Sequence, residues 1–404
     1  MADINPLLEK KFLSPGPKRI LSLDGGGIRG ALTLGYLEKI ESILKDRHRH
    51  LYKDPDDFRL CHYFDLIGGT STGAIIATAL AIGMSASEVK EKYKTLGREI
   101  FAQKKYKAFT INLGFWKKTF ILFTNYKYDA APLANNLKIL FGDSVLGDES
   151  NKTGLCIVAK RFDTFSTWPI TNNPNARYFS QNRFLLRNIV RASAAAPTYF
   201  KPEAMDVGSG QVAAFVDGGM SLMNNPSFQL FLISALQGYN IAGKTKTWKQ
   251  GVDDLFIVSV GTGRKPKKLD ASQWLNPNLA KLAPQVSEQF MNDANEMVEM
   301  IMQLHGKMLP KNKYREIDRE MGVLETDCIN GCKSFTYVRY NVELVKNKLN
   351  EIGITNWTDE EIDSLSQMDN ANNVDKLIEV GTKSAASITA DDFPSIFDIK
   401  ELYL

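Results

Sequence analysis

The order of elements along this 404-residue chain predicts an α/β fold, a mostly parallel central sheet flanked by helices on both faces. Three observations carry that expectation. Short apolar runs alternate with segments of helical spacing. Two of those runs end directly in glycine-rich turns that open a helix. Hydrophobic residues make up 44% of the chain against 24% charged, enough apolar material for a sizeable core.

The elements follow in order. Residues 1–17 form a polar leader that includes Asp3, Glu9, Lys10 and Lys11 and has no apolar signal core. Arg19 to Leu23 reads as a strand, and Asp24-Gly25-Gly26-Gly27-Ile28-Arg29-Gly30 as the turn after it. Ala31 to Lys45 reads as a helix, because Leu34, Leu37, Ile40, Ile43 and Leu44 recur at helical spacing. A charged loop spans Asp46 to Arg59. The second unit repeats the shape: Tyr63 to Ile67 as strand, Gly68 to Gly73 as tight turn, Ala74 to Ile82 as a helix of small and apolar residues. Further strands are expected at Leu155 to Lys160, Ala213 to Val216 and Leu255 to Val260. Helices are expected at Glu88 to Ile100, Arg187 to Ala195, Ser227 to Gln237 and Gln285 to His305. Beyond about Arg264 the chain is helix-rich, with one strand at Phe335 to Val342 and a closing helix at Val374 to Ala386. With no long linker or repeat, the expected organisation is a leader (1–17), a catalytic core (18–265) and a C-terminal helix-rich elaboration (266–404) packed on the same domain.

Composition excludes several classes. A net charge of +4, from 50 basic and 46 acidic residues, argues against a nucleic acid polymer as partner. No run approaches the roughly 18 apolar residues of a membrane span. Cys61, Cys156, Cys328 and Cys332 are too few and scattered for a disulfide framework, so a cytoplasmic protein is expected. Cys328 and Cys332 with His305 have no familiar ligand spacing, so no metal is expected.

Gly69-Thr70-Ser71-Thr72-Gly73 fits the G-x-S-x-G nucleophile elbow, with a strand before and a helix after. A serine on such a turn sits where side chains at the flanking positions would collide with sheet and helix. The helix N-terminus also favours negative charge developing there. The Asp24 to Gly30 loop is a nest in which backbone N–H groups can approach an anion, as an oxyanion hole requires. Gly25, Gly27 and Gly30 also match the dinucleotide-binding G-x-G-x-x-G. That reading needs an acidic residue about 20 positions on, at the end of a second strand, and the region from Lys45 to Asp57 has no strand pattern. A Walker loop is excluded, since no Gly-Lys-Ser/Thr follows.

The base is the harder residue to find. After Ser71 the sole histidine is His305, inside a methionine-rich amphipathic helix, so a triad in the usual order has no good candidate. Asp217 ends a strand and precedes Gly218 and Gly219. A carboxylate there serves as general base if its surroundings raise its pKa, although an Asp-Gly-Gly is also an ordinary turn.

Taken together, the motifs resemble the bacterial patatin-like phospholipases. The likeness rests on the Asp24 to Gly30 loop, the Gly69 to Gly73 elbow and Asp217-Gly218-Gly219. It also rests on Ala192-Ser193-Ala194-Ala195-Ala196-Pro197-Thr198-Tyr199-Phe200, on Asn224-Asn225-Pro226 and on Ser259-Val260-Gly261-Thr262-Gly263. The resemblance implies a three-layer sandwich and a Ser–Asp dyad with Ser71 as nucleophile and Asp217 as base. It implies an oxyanion hole from Gly25, Gly26 and Gly27, with Arg29 helping to hold that loop. It further implies hydrolysis of membrane phospholipid esters at the membrane surface without a cofactor. A branch of the family, switched on by a cyclic nucleotide in defence against phage, is similar too. A cyclic nucleotide activator and a homo-oligomer are therefore further partners to test. A lipid- or nucleotide-binding module without catalysis is the alternative, and it has no need of both Ser71 and Asp217. Lys104 to Tyr128 interleaves lysines with aromatics. That suits either a membrane-facing surface or a core edge with a solvated face.

Overall fold

The computed structural model describes residues 5–102, 126–174, 176, 183–208, 210–236, 248–266, 275 and 279–402. Most of the segment Lys104 to Tyr128 lies outside the described residues. A nine-stranded sheet runs β5-β6-β3-β2-β1-β7-β9-β8, with β4 paired to β3. The strands are β1 (Lys18–Leu23), β2 (Leu66–Thr70), β3 (Gly154–Arg161), β4 (Ser166–Thr171), β5 (Glu203–Asp206), β6 (Val212–Asp217), β7 (Leu255–Val260), β8 (Gly306–Met308) and β9 (Phe335–Tyr340). From β3 through β2, β1, β7 and β9 to β8 every pairing is parallel, whereas β4, β5 and β6 join antiparallel.

Parallel strands covered on both faces are rich in apolar residues, and every residue of β1, β2 and β7 is buried, the polar Lys18, Arg19, Ser22, Thr70 and Ser259 included. Alternate side chains feed two cores. Leu21, Ile67, Ile157 and Val258 enter the larger one, while Ile20, Leu66, Cys156 and Ile257 enter the smaller. The larger core is covered by helices that include α2 (Gly30–His48), α4 (Thr72–Ala81), α5 (Ala86–Ala102) and α12 (Val374–Ser384). The smaller core lies under α8 (Ser227–Ala235) and α9 (Leu279–His305). This is the expected three-layer α/β sandwich. Between these, in chain order, come α3 (Leu60–Tyr63), α6 (Ala131–Phe141), α7 (Leu186–Ser193), α10 (Lys346–Glu351) and α11 (Asp359–Ser364).

Several boundaries differ from expectation. Residues of the polar leader form α1 (Pro6–Leu13), with Asn5 accepting from the Leu7 N–H and proline in the first turn. Lys11 of that helix donates from its buried ammonium to the Cys61 and His62 carbonyls, at 2.9 Å each. The charged stretch from Asp46 is ordered: α2 continues to His48, and 3-10 turns follow at Arg49–Leu51 and Pro55–Asp57. The second strand begins at Leu66 rather than Tyr63, because Leu60 to Tyr63 close a helical turn whose carbonyls Lys11 caps. The C-terminal part is woven into the sandwich, since β9 extends the sheet beside β7 and α12 lies on α2. That helix pair meets closely: a Cβ on Gly381 would fall 2.0 Å from the Leu32 carbonyl oxygen.

One pairing positions the site. On one edge of β3, β2 occupies Gly154 to Val158 and β6 occupies Ala159 to Arg161, while β4 covers the other edge. Strands β2 and β6 therefore abut end to end along β3. Thr70 pairs with Val158 and Asp217 with the next residue, Ala159.

Candidate active site

That abutment brings Ser71 and Asp217 together across 146 positions of sequence: the Ser71 hydroxyl donates to Asp217 Oδ2 at 2.5 Å. Ser71 leaves β2 with φ 55° and ψ −120° before α4 begins. A positive φ on a non-glycine costs of order 1 kcal/mol and persists where its surroundings impose it. They do so here. A Cβ on Gly69 would lie 2.1 Å from the Gly73 carbonyl oxygen, and one on Gly73 would lie 2.2 Å from that of Leu23. Both glycines of the elbow are thus required for close approach of backbone to backbone. The Ser71 N–H donates to Ser193 Oγ at 2.9 Å, and Ser193 in turn donates to the Val158 carbonyl at 2.6 Å.

Asp217 is 6% exposed, and its carboxylate accepts from the Ser71 hydroxyl and the Gly219 N–H. Burial pushes its carboxyl up to about 6, against the lowering effect of the Ser71 hydroxyl and the Gly219 N–H, which donates at 2.7 Å. A carboxylate so placed is ionised near neutral pH yet basic enough to draw a proton from a serine. The histidines are engaged elsewhere. His48 lies buried between the Leu44 carbonyl and the Ile399 N–H, His62 bonds the Arg59 N–H and Tyr52 hydroxyl, and His305 ends α9.

The glycine loop yields to a full accounting of its backbone groups. Asp24 N–H donates to Val260, Gly25 N–H to Asn224 (3.0 Å), Ile28 N–H to Met368 (2.8 Å) and Arg29 N–H to Gly26. The Gly25 carbonyl accepts from Asn224 Nδ2 and Thr262 Oγ1, and that of Gly27 accepts from the Tyr93 hydroxyl. Among the described residues this leaves the N–H groups of Gly26 and Gly27 without a protein acceptor. Gly25, expected as a third donor, is instead spent on Asn224, because the chain after Asp217 folds back over the loop. Arg29 spans the loop, its guanidinium 3.5 Å from the Gly26 and Gly263 carbonyl oxygens. Gly27 needs its φ of +57°, and a Cβ there would lie 2.3 Å from the Met368 carbonyl oxygen.

Sequence reasoning missed the supports. Ser193, Asn224 and Thr262 sit inside motifs already noted, but their hydroxyl and amide groups act on backbone atoms, which leaves no spacing signature. Arg339 lies in no motif. Its guanidinium grips Asp24 with two donors, to Oδ1 at 2.9 Å and Oδ2 at 2.6 Å, across 315 positions.

A family model described as Patatin-like phospholipase matches residues 21–231. A cGAMP-activated phospholipase of Vibrio cholerae serotype O1 is 34% identical over 215 residues, covering 52% of this chain and 56% of that one. An Escherichia coli protein of the same name is 28% identical over 268 residues, 63% of this chain and 66% of its own. A cUMP-AMP-activated phospholipase of Escherichia coli is 26% identical over 292 residues, 69% of this chain and 77% of its own. The chain thus spans between about half and two thirds of the length of the first two relatives.

Proposed function

The chain belongs to the patatin-like phospholipase family, and from that premise we propose that it cleaves acyl esters of membrane phospholipids through a Ser71–Asp217 dyad. The observation that carries the reading is the 2.5 Å hydrogen bond from the strained Ser71 to a buried carboxylate, beside a glycine loop in which a Cβ on Gly25 would lie 3.2 Å from Ser71 Cβ. Asp217 takes the hydroxyl proton as Ser71 Oγ attacks the ester carbonyl, and the oxyanion forms against the Gly26 and Gly27 N–H groups. Collapse expels the lysolipid alcohol, which leaves with the proton held by Asp217. Asp217 then deprotonates water, whose attack on the acyl-serine releases the fatty acid as Asp217 returns the proton to Ser71 Oγ.

Asp217 acts as base only when ionised. With its carboxyl lifted to about 6, kcat/KM on a soluble ester is expected to fall about tenfold per unit below that pH and to level off above it. A pH profile from 4.5 to 8 checks this. A limb absent from that range would assign proton transfer to another group.

The names of the relatives support a cyclic nucleotide trigger. Fatty-acid release from phospholipid vesicles, measured with and without cGAMP, tests both substrate and trigger. Release in neither condition, with Ser71 unreactive to a fluorophosphonate, would overturn the hydrolase reading.

Among the described residues no helix is long and apolar enough to cross a membrane. A surface for meeting a bilayer is supported by the β3–β4 hairpin tip. Phe162 and Phe165 there are 51% and 74% exposed, 5.9 Å apart, with Val212 nearby at 67%. Strand β3 reaches this tip by continuing past Ala159, the partner of Asp217, so the aromatics stand beyond the dyad's end of the sheet. Replacing both phenylalanines by serine is expected to weaken vesicle co-sedimentation by about tenfold, the effect of losing part of two buried aromatics. Hydrolysis of a soluble ester should stay unchanged. Equal loss of both activities would assign the pair to folding instead.

A further inference from the structure

The glycine loop lies at the N-terminal end of the chain, yet two of its anchors come from the C-terminal region, beyond residue 231 where the family model ends. One is the Met368 carbonyl, which accepts from the Ile28 N–H at 2.8 Å. The other is Arg339 on β9. Its side chain and that of Asp24 are 8% and 5% exposed, and the contact is bidentate. The same guanidinium donates to Ser259 Oγ at 2.7 Å and approaches Glu299 of α9 at 4.0 Å. Glu299 is held from its other side by Arg315 at 2.9 Å.

Asp24 immediately precedes the glycines, so the orientation of its peptide sets where Gly25 to Gly27 leave β1. A carboxylate gripped by a planar fork has little rotational freedom, unlike one paired with a point charge. The Asp24 backbone is fixed in turn by its N–H bond to Val260. Burying this pair is costly, and an apolar pair would fill the space at less expense. An apolar pair would not, however, fix a direction.

We infer that Arg339 is a positioning residue for the oxyanion hole: through Asp24 it aims the Gly26 and Gly27 N–H groups at the carbonyl that Ser71 attacks. The inference rests on the Ser71–Asp217 reading and adds a site element from the region outside the family match. It assigns part of the C-terminal region to the reaction itself. Arg339 touches neither substrate nor dyad, so its effect falls on transition-state stabilisation rather than on substrate binding or the base.

The test compares wild type, Arg339→Lys, Asp24→Asn and Ser71→Ala on a soluble ester, with turnover counted per fluorophosphonate-titrated serine in the first three and per mole of protein for Ser71→Ala. Arg339→Lys keeps the charge and loses the fork, while Asp24→Asn keeps the shape and loses the charge. Both are expected to lower kcat about tenfold to a hundredfold, less than deleting an oxyanion donor outright. KM should stay within about twofold and the acid limb near pH 6 should be retained. A lower melting temperature with wild-type kcat per titrated serine would make the pair merely structural and overturn the inference. A shifted acid limb would place its action on Asp217 and overturn it as well. Should Arg339→Lys fail to fold, Asp24→Asn decides by the same criteria. Wild-type hydrolysis that survives Ser71→Ala would overturn the dyad reading and this inference together, whereas unaltered turnover in both pair variants would overturn the inference alone.

Discussion

Replacing Ser71 by alanine is expected to lower fatty-acid release from phospholipid vesicles by about three orders of magnitude or more, and Asp217→Asn by a similar factor. The two changes should not add. Each removes one partner of a single hydrogen bond, Ser71 Oγ to Asp217 Oδ2 at 2.5 Å, and half of the pair cannot drive the attack. Their effects on stability should differ. Burial raises the Asp217 carboxyl from 3.8 in the unfolded chain to about 6 in the folded one. The folded state therefore binds this proton more tightly, and the stability it contributes is complete below about pH 3.8 and lost as pH rises through 6. At pH 7 the wild type carries an ionised carboxylate that is buried with no more than two hydrogen-bond donors described, the Ser71 hydroxyl and the Gly219 N–H, and Asp217→Asn removes that charge at nearly constant shape. Thermal melts at pH 7 should show Asp217→Asn more stable than wild type, and the gap should close by pH 4. An inactive variant that melts lower at pH 7 would mean that the carboxylate is needed for folding.

Gly26→Ala is expected to reduce kcat by about a hundredfold to a thousandfold with a far smaller effect on fold. The position has extended backbone with φ 177°, which any residue adopts, so torsional strain is not the cause. Space is. An added Cβ would lie 2.3 Å from Thr262 Oγ1, 2.7 Å from its Cβ and 2.9 Å from its Cγ2. Thr262 is buried and its hydroxyl holds the Gly25 carbonyl, so the loop must yield rather than the threonine. A displacement of a few tenths of an ångström misaims the Gly26 N–H, one of two donors left for the oxyanion. Steady-state kinetics on a soluble ester, beside a melting curve, check this. Wild-type kcat would show that the loop relaxes without moving the donor.

The sheet's parallel centre was legible because β1 carries Ile20, Leu21 and Leu23 and β7 carries Leu255 to Val258 and Val260, the apolar-rich runs that burial on both faces favours. Strand β4 escaped notice because it is an antiparallel edge. Its Ser166, Thr167, Trp168 and Pro169 are half-exposed, which leaves no apolar alternation to read. Strand β8 is three residues long and carries no period at all. The Ser71–Asp217 contact was legible for a different reason. The sharp exits after β2 and β6 demand glycine, and glycines beside a lone Ser or Asp advertise such exits. The glycine loop was half legible: the glycines marked the loop, but which N–H groups remain unbonded depends on Asn224, Met368 and Tyr93, each chosen by tertiary approach. No local pattern couples Arg339 to Asp24 across 315 positions.

The end-to-end meeting of β2 and β6 along β3 also bears on the timing of synthesis. When the elbow has left the ribosome, its base is still 146 residues away, and the arginine that grips the start of the glycine loop is separated from its aspartate by 315. Strand β6 has no place to dock until β3 is laid against β2. A partly made chain therefore holds a serine without an acceptor for its proton. On the proposed mechanism, hydrolytic capacity arises only once Asp217 has joined Ser71, and its full rate only once Arg339 has reached Asp24.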